Sequence, residues 1–164
     1  TQRGEKVALE VLRHHRILEL YLSEVVGLPL DQVHDEAEEL EHALSEELEA
    51  ILFEKLGQPK RDPHGDPIPS LNGEMVTEGI RLLDASIGKC HVVIRVRDRN
   101  PPILKYLTTL GLQPGTEIIL LEKLPFNGPI RIQIGNLEHT LGHEVSEEIF
   151  VSSLKSQSGV RHTE

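Results

Sequence analysis

Residues Val33 to His42 read VHDEAEELEH, and this decapeptide decides how the first third of the chain folds. At about 100° of rotation per residue, with His34 set at zero, Glu41 falls near −20°, Glu38 near +40° and His42 near +80° on a helical wheel. Val33, Ala37, Leu40 and Leu44 gather at roughly −60° to −120°, and Asp35, Glu36 and Glu39 at roughly +100° to +200°. Two histidines and two glutamates therefore share one arc between an apolar stripe and a solvated acidic face, where side chains can converge on a bound ion.

Upstream, Val7–Val26 reads VALEVLRHHRILELYLSEVV. His15 lies on the same side of that helix as Val11, Leu18, Leu22 and Val25, inside the apolar stripe. Glu19 follows it at i+4, so the two side chains reach one point, and a carboxylate in such a stripe demands a partner. The pair together with the arc offers six nitrogen or oxygen donors on two helices, enough for one transition-metal site or two. A buried ion pair is the structural alternative for His15 and Glu19 alone. Asp35, Glu36, Glu39, Glu46, Glu47 and Glu49 read as a solvated acidic face. His14, His64, His91, His139, His143 and His162 read as ordinary surface or loop histidines.

The periodicity predicts a first helix from about Glu5 to Val26, stopped by Gly27-Leu28-Pro29, a second capped by Asp31, and a third capped by Ser45 and stopped by Gly57. Leu44, Leu48, Ile51, Leu52 and Leu56 supply its apolar positions. From Gln58 to Gly73 the chain reads QPKRDPHGDPIPSLNG, whose prolines and turn residues end helical structure and mark a boundary. Beyond it come short apolar runs, HVVIRV, TEIILLEKL, PIRIQI and LEHTL, a helical candidate at ILKYLTTLG, and hairpin turns at Phe126-Asn127-Gly128 and Gly135-Asn136. The expected fold is α+β: a helical domain over residues 1–57, a Pro-rich linker over 58–76 and a small antiparallel barrel over 77–164.

Composition narrows the function. The 164 residues carry a formal charge of −10, 3% aromatics and no Trp, which opposes both phosphate contacts and base stacking by this chain. Carboxylate-rich chains suit divalent cations. Cys90 is the single cysteine, so there is neither a disulfide framework nor a thiolate zinc site, and a cytoplasmic setting is expected. No apolar run reaches the ~20 residues that span a bilayer, so no membrane partner is expected. The second half holds no nucleophile with a base in register and no glycine-rich phosphate loop; Asp98, Glu138, His139, His143 and Glu144 can each lend a ligand.

TQRGEKVA, RHHRILELYL, VGLPLDQVHDEAEELEHALSEELE and DPHGDPIP carry a resemblance to metal-dependent transcriptional repressors of the diphtheria toxin repressor and manganese transport regulator family. HVVIRV through FVSSL resembles the Src-homology-3-like barrel that such proteins share with the ferrous-iron transport protein A. The resemblance implies no enzyme but the sensing and dimerisation part of a repressor: a helical dimerisation and metal-binding domain, then the barrel. It also implies a homodimer that meets operator DNA through an amino-terminal winged helix-turn-helix which this chain lacks. It maps an ancillary metal site onto His15, Glu19 and His34, completed from the barrel. An effector site maps onto Glu38, Glu41 and His42, completed from the amino-terminal side. Glu38 stands where iron-sensing members carry cysteine and manganese-sensing ones glutamate, and no carboxylate–amide pair stands at Arg99 to Pro102, where barrel ligands fall. The implied cofactor is Mn²⁺ or Fe²⁺, with other divalent transition metals binding in vitro. The rival readings are a di-metal helical enzyme, for which the repeated Glu-x-x-His motif is incomplete, and a metal-independent interaction module.

Overall fold

The computed structural model describes residues 1–97 and 100–153; Asp98, Arg99 and His162 lie outside the described residues. Helix α1 spans Gln2–Tyr21 and starts earlier than periodicity alone predicts, because the Thr1 hydroxyl accepts from the Gly4 amide and caps it. A π-helical turn, Leu22–Val26, continues it to Gly27, whose φ of 82° lets the chain leave the helix. Helix α2 spans Val33–Glu41. Asp31 does not cap it: a turn closed by Gln32 N–H on Pro29 O delays the helix, so the capping position falls on Gln32, which makes no side-chain cap bond. Helix α3 spans Glu46–Lys55, with Ser45 Oγ accepting from Leu48 N–H at 3.2 Å and Gly57 at a φ of 77° beyond its end.

Apolar contact between α1 and α2 is small: Leu18, Leu22, Val33 and Ala37 form its buried centre, edged by Leu28, Leu44 and Leu52. Helix α3 is fastened by charge as well. The buried Arg13 side chain pairs through Nε with Glu49 Oε1 at 2.9 Å, donates through Nη1 to Pro69 O at 2.7 Å and lies over the Phe53 ring at 4.3 Å. One buried side chain thus joins α1, α3 and the loop that follows.

Strands β1 Ile80–Arg81, β2 Cys90–Val96, β3 Glu117–Lys123, β4 Ile130–Ile134, β5 Leu137–Leu141 and β6 Ile149–Ser153 form one antiparallel sheet in the order β1-β6-β2-β3-β4-β5. A 3₁₀ turn Leu82–Asp84 and helices α4 Pro101–Thr109 and α5 His143–Glu147 connect them. Asn100 caps α4 ahead of two prolines, a start that proline's fixed φ favours. Phe126 and Asn127 take positive φ between β3 and β4, and Gly135 does so between β4 and β5, as tight hairpins require. Register shifts between Val93 and Arg95 and between Leu120 and Glu122 bend the sheet. It curls enough for Val93, Val96, Ile118, Leu120, Ile130, Ile132, Leu141, Ile149 and Val151 to share one buried cluster with Leu82, Leu104, Leu107 and Leu112. No helix among the described residues is long and apolar enough to cross a membrane.

Candidate metal centre

The packing of α2 on α1 decides which polar side chains meet. Glu41 and His34 flank the apolar stripe of α2 and are drawn onto α1, whereas Glu38 and His42, further round, face solvent. His15 Nε2, His34 Nδ1 and Glu19 Oε1 form a near-equilateral triangle with edges of 3.0, 3.0 and 3.1 Å. Those three donors have converged. On the far side of the His15 ring, Nδ1 lies 2.7 Å from Glu41 Oε2. A carboxylate on the second nitrogen fixes a histidine's tautomer and ring plane, the usual arrangement behind a ligating imidazole.

Glu41 therefore stands beside His15 and not with Glu38 and His42. Its Oε1 is 3.5 Å from His42 Nδ1, but the His42 side chain is 73% exposed. Among the described residues, Glu38, Glu41 and His42 make no three-donor group, whereas His15, Glu19 and His34 do.

A second group has no counterpart in helical periodicity: Glu19, Asp62 and His64 also bring ligand atoms within 4.8 Å of one another. His64, read as an ordinary surface or loop histidine, sits in a loop but is completely buried. The loop carrying it is pinned to both regions of the molecule. His64 Nε2 contacts Leu30 O at 3.1 Å, and His64 O accepts from Val96 N–H of β2 at 2.9 Å. Gly65, at φ 92°, packs so closely on β2 that a Cβ would lie 1.9 Å from Ile94 O. Asp62 Oδ1 accepts from the His64 and Asp66 amides at 2.9 Å each, folding the loop around its own carboxylate.

Glu19 serves both groups. Burial alone would raise its pKa, but hydrogen bonds with His15 and His34, together with the nearby charge of His64, outweigh burial and hold the carboxyl far below the ordinary range. Asp62 goes the other way: burial, then the charges of Glu19 and Asp66, push it up to about 8. Burial lowers the His15 pKa, yet the Glu19 hydrogen bond and charge, helped by the Glu41 hydrogen bond, raise it overall.

The donor set fits a divalent cation. Glu19 Oε2 is buried without a hydrogen bond and lies 3.8 Å from His64 Nδ1. An octahedral face on a small hard cation, with bonds of about 2.1 Å, has edges of about 3 Å, the size of the His15–His34–Glu19 triangle. All donors in both groups are carboxylate oxygens or imidazole nitrogens, with no sulfur.

Residues 1–70 match the family model described as iron dependent repressor, metal binding and dimerisation domain, and residues 80–153 match the FeoA domain. Among curated relatives, the diphtheria toxin repressor of Corynebacterium glutamicum is 32% identical over 165 residues, covering 90% of this chain and 72% of that protein. The iron-dependent repressor IdeR of Mycobacterium tuberculosis is 30% identical over 167 residues, covering 94% of this chain and 72% of the relative. Among solved structures, a manganese-dependent transcriptional repressor in complex with manganese superposes with a TM-score of 0.87 at 38% identity, over 94% of this chain and 74% of that one. ScaR with bound Cd²⁺ superposes with a TM-score of 0.83 at 30% identity, over 94% and 73%.

Proposed function

The chain belongs to the family of iron-dependent, diphtheria-toxin-repressor-type transcriptional repressors, and on that premise we propose that it is the metal-sensing and dimerising portion of such a repressor, responding to Mn²⁺ or Fe²⁺. The observation that carries this reading is the buried convergence on Glu19, with His15 and His34 on one side and Asp62 and His64 on the other. Glu19, His15 and His34 would hold one cation, with Glu41 fixing the His15 ring. Glu19, Asp62 and His64 would hold a second or an alternative one. A hard oxygen and nitrogen set suits Mn²⁺ and Fe²⁺, while Zn²⁺ and Co²⁺ compete by the Irving–Williams order in vitro.

A bound divalent cation would supply positive charge to Glu19 and Asp62 when His15, His34 and His64 are neutral and ligating. The chain's own residues do the rest: α1 presents His15 and Glu19, α2 presents His34, and the loop presents Asp62 and His64. The helices and the loop are thereby tied at one point. For Glu38, Glu41 and His42 to act as the effector group in this reading, Glu41 has to leave His15 Nδ1, and residues amino-terminal to this chain complete the set. Operator DNA is contacted by a winged helix-turn-helix on that side. A second copy covers the exposed apolar side chains Leu40, Leu48 and Ile51, each 44–50% exposed. The reading places the protein in the cytoplasm and assigns no residue a catalytic role.

Calorimetric titration of this chain with Mn²⁺ tests it. Binding is expected in the native chain, and Glu19→Ala is expected to remove it from both groups, while His64→Ala removes only the loop-side contribution. Circular dichroism of each variant confirms that the helices persist. No binding to the native chain, or unchanged binding in folded Glu19→Ala, would overturn the reading.

A further inference from the structure

We propose that Arg16, Asp66 and Arg95 form a linkage through which a cation held by Glu19, Asp62 and His64 fixes the barrel against the helical region. It rests on the cation reading above and extends it to residues that hold no cation themselves.

The loop segment from Asp62 to Asp66 is bonded to itself as one turn. Asp62 Oδ1 holds the His64 and Asp66 amides, and the Asp62 and Asp66 backbones are bonded to each other at 2.9 Å. The Asp62 oxygen left over, Oδ2, lies 3.6 Å from Arg16 Nε. Arg16 stands one turn before Glu19 on α1, so a single helical face carries both a ligand and the cation that steadies the ligand loop. Its guanidinium also reaches Asp66 Oδ1 at 3.7 Å through Nη2 and donates to Pro67 O. Arg16 is thus paired with both loop aspartates.

From Asp66 the linkage crosses into the barrel. The same Oδ1 lies 3.2 Å from Arg95 Nη1 on β2, and the Arg95 guanidinium is stacked 3.8 Å from the centre of the Phe150 ring on β6. The Arg16, Asp66 and Arg95 side chains are only 14–17% exposed. Pairs this sheltered are screened by salt far less than surface pairs. The backbone joins at the same place, where His64 O accepts from Val96 N–H and Gly65 fits under Ile94 O. Charge and backbone therefore couple the loop to β2 within a few residues of the Glu19 group. Drawing Asp62 and His64 onto a cation beside α1 draws Asp66, and with it Arg95, to the same place.

Hydrogen exchange of the full 164-residue chain, with and without Mn²⁺, reads the linkage at the Val96 amide, alongside calorimetry with Mn²⁺. In the native chain Mn²⁺ is expected to slow exchange at Val96 by about tenfold, an ordinary size for a coupling between sites. Arg95→Met, distant from the ligands, should bind Mn²⁺ with native affinity and lose that slowing, while Arg95→Lys keeps part of it. Asp66→Asn should behave as Arg95→Met does. Arg16→Met should lose the slowing and also bind Mn²⁺ more weakly, because Asp62 loses its support. A merely structural role would change Val96 exchange equally with and without Mn²⁺. Native affinity with the slowing intact in Arg95→Met and Asp66→Asn would overturn the linkage and leave the cation reading standing. A large loss of Mn²⁺ affinity in Asp66→Asn would make Asp66 a ligand and overturn its role as a link. Absence of Mn²⁺ binding in the native chain would overturn both.

Discussion

The barrel closes on an unbroken cluster of aliphatic side chains, from Leu82 and Val93 to Ile149 and Val151, while the helical region gathers Leu18, Leu22, Val33 and Ala37 into a small apolar centre, with Ile17 and Leu20 of α1 buried outside it. Beside that small centre it buries Arg13, His14, His15, Glu19 and Glu49, joined by Asp62 and His64 of the loop. Aliphatic burial stabilises whatever the solution contains. Buried charge stabilises only while every partner is in place, and removing one leaves its opposite uncompensated. The barrel is thus a self-sufficient platform and the helical region a device whose stability depends on what occupies it.

The largest expected effect lies in the barrel. Ile132, fully buried in its core, should cost about 2–5 kcal/mol on truncation to alanine. Hydrogen exchange of β3 and β4 should show the same loss with and without Mn²⁺, and rescue by Mn²⁺ would break the contrast. In the helical region, Mn²⁺ at about a thousand times its dissociation constant should add about 4 kcal/mol of protection to the α1 and α2 amides. The β4 and β5 amides should gain much less. Equal protection in both regions would show that the two unfold as one unit.

A smaller effect comes from pH in the absence of metal. Asp62 keeps its proton in the fold to about pH 8 but loses it near 3.8 when unfolded, so its stabilisation is full in acid and disappears as pH rises through about 8. His15, also raised, acts in the same direction from its ordinary value of 6.5 upward. Glu19, held low, acts oppositely: its contribution is lost as pH falls below the ordinary 4.5. Denaturation monitored in the helices with a chelator present should therefore find maximal stability in mild acid and a decline towards pH 8. With Mn²⁺ the decline should reverse, because the cation needs Asp62 ionised. Smallest is Ser45→Ala, which removes the α3 cap for about 1 kcal/mol with no dependence on Mn²⁺.

Much of this was legible in the chain. The i, i+4 spacing of His15 and Glu19, the Ser45 cap, the hairpin turns and the change from helical to strand periodicity are local signals, and local geometry honours them. The arc of α2 was legible in outline only. Its four side chains share one side of the wheel, yet burial follows distance from the apolar stripe, so Glu41 and His34 reach His15 and Glu19 while Glu38 and His42 do not. That gradient was already present in the angles. Asp62 and His64 carry no periodic signal, since they sit 43 and 45 positions from Glu19 in a proline-rich stretch that reads as a connector. The one local cue was their chemistry: two aspartates and a histidine among prolines and a glycine, a polar cluster on backbone too constrained to be a free linker.

Anomalous scattering from crystals of this chain grown with Mn²⁺ tests most directly whether Glu19 is the centre of a cation site. A peak within coordination distance of the Glu19 carboxylate is expected, flanked by His15 and His34 or by Asp62 and His64. Peaks confined to Glu38 and His42, with none at Glu19, would contradict it.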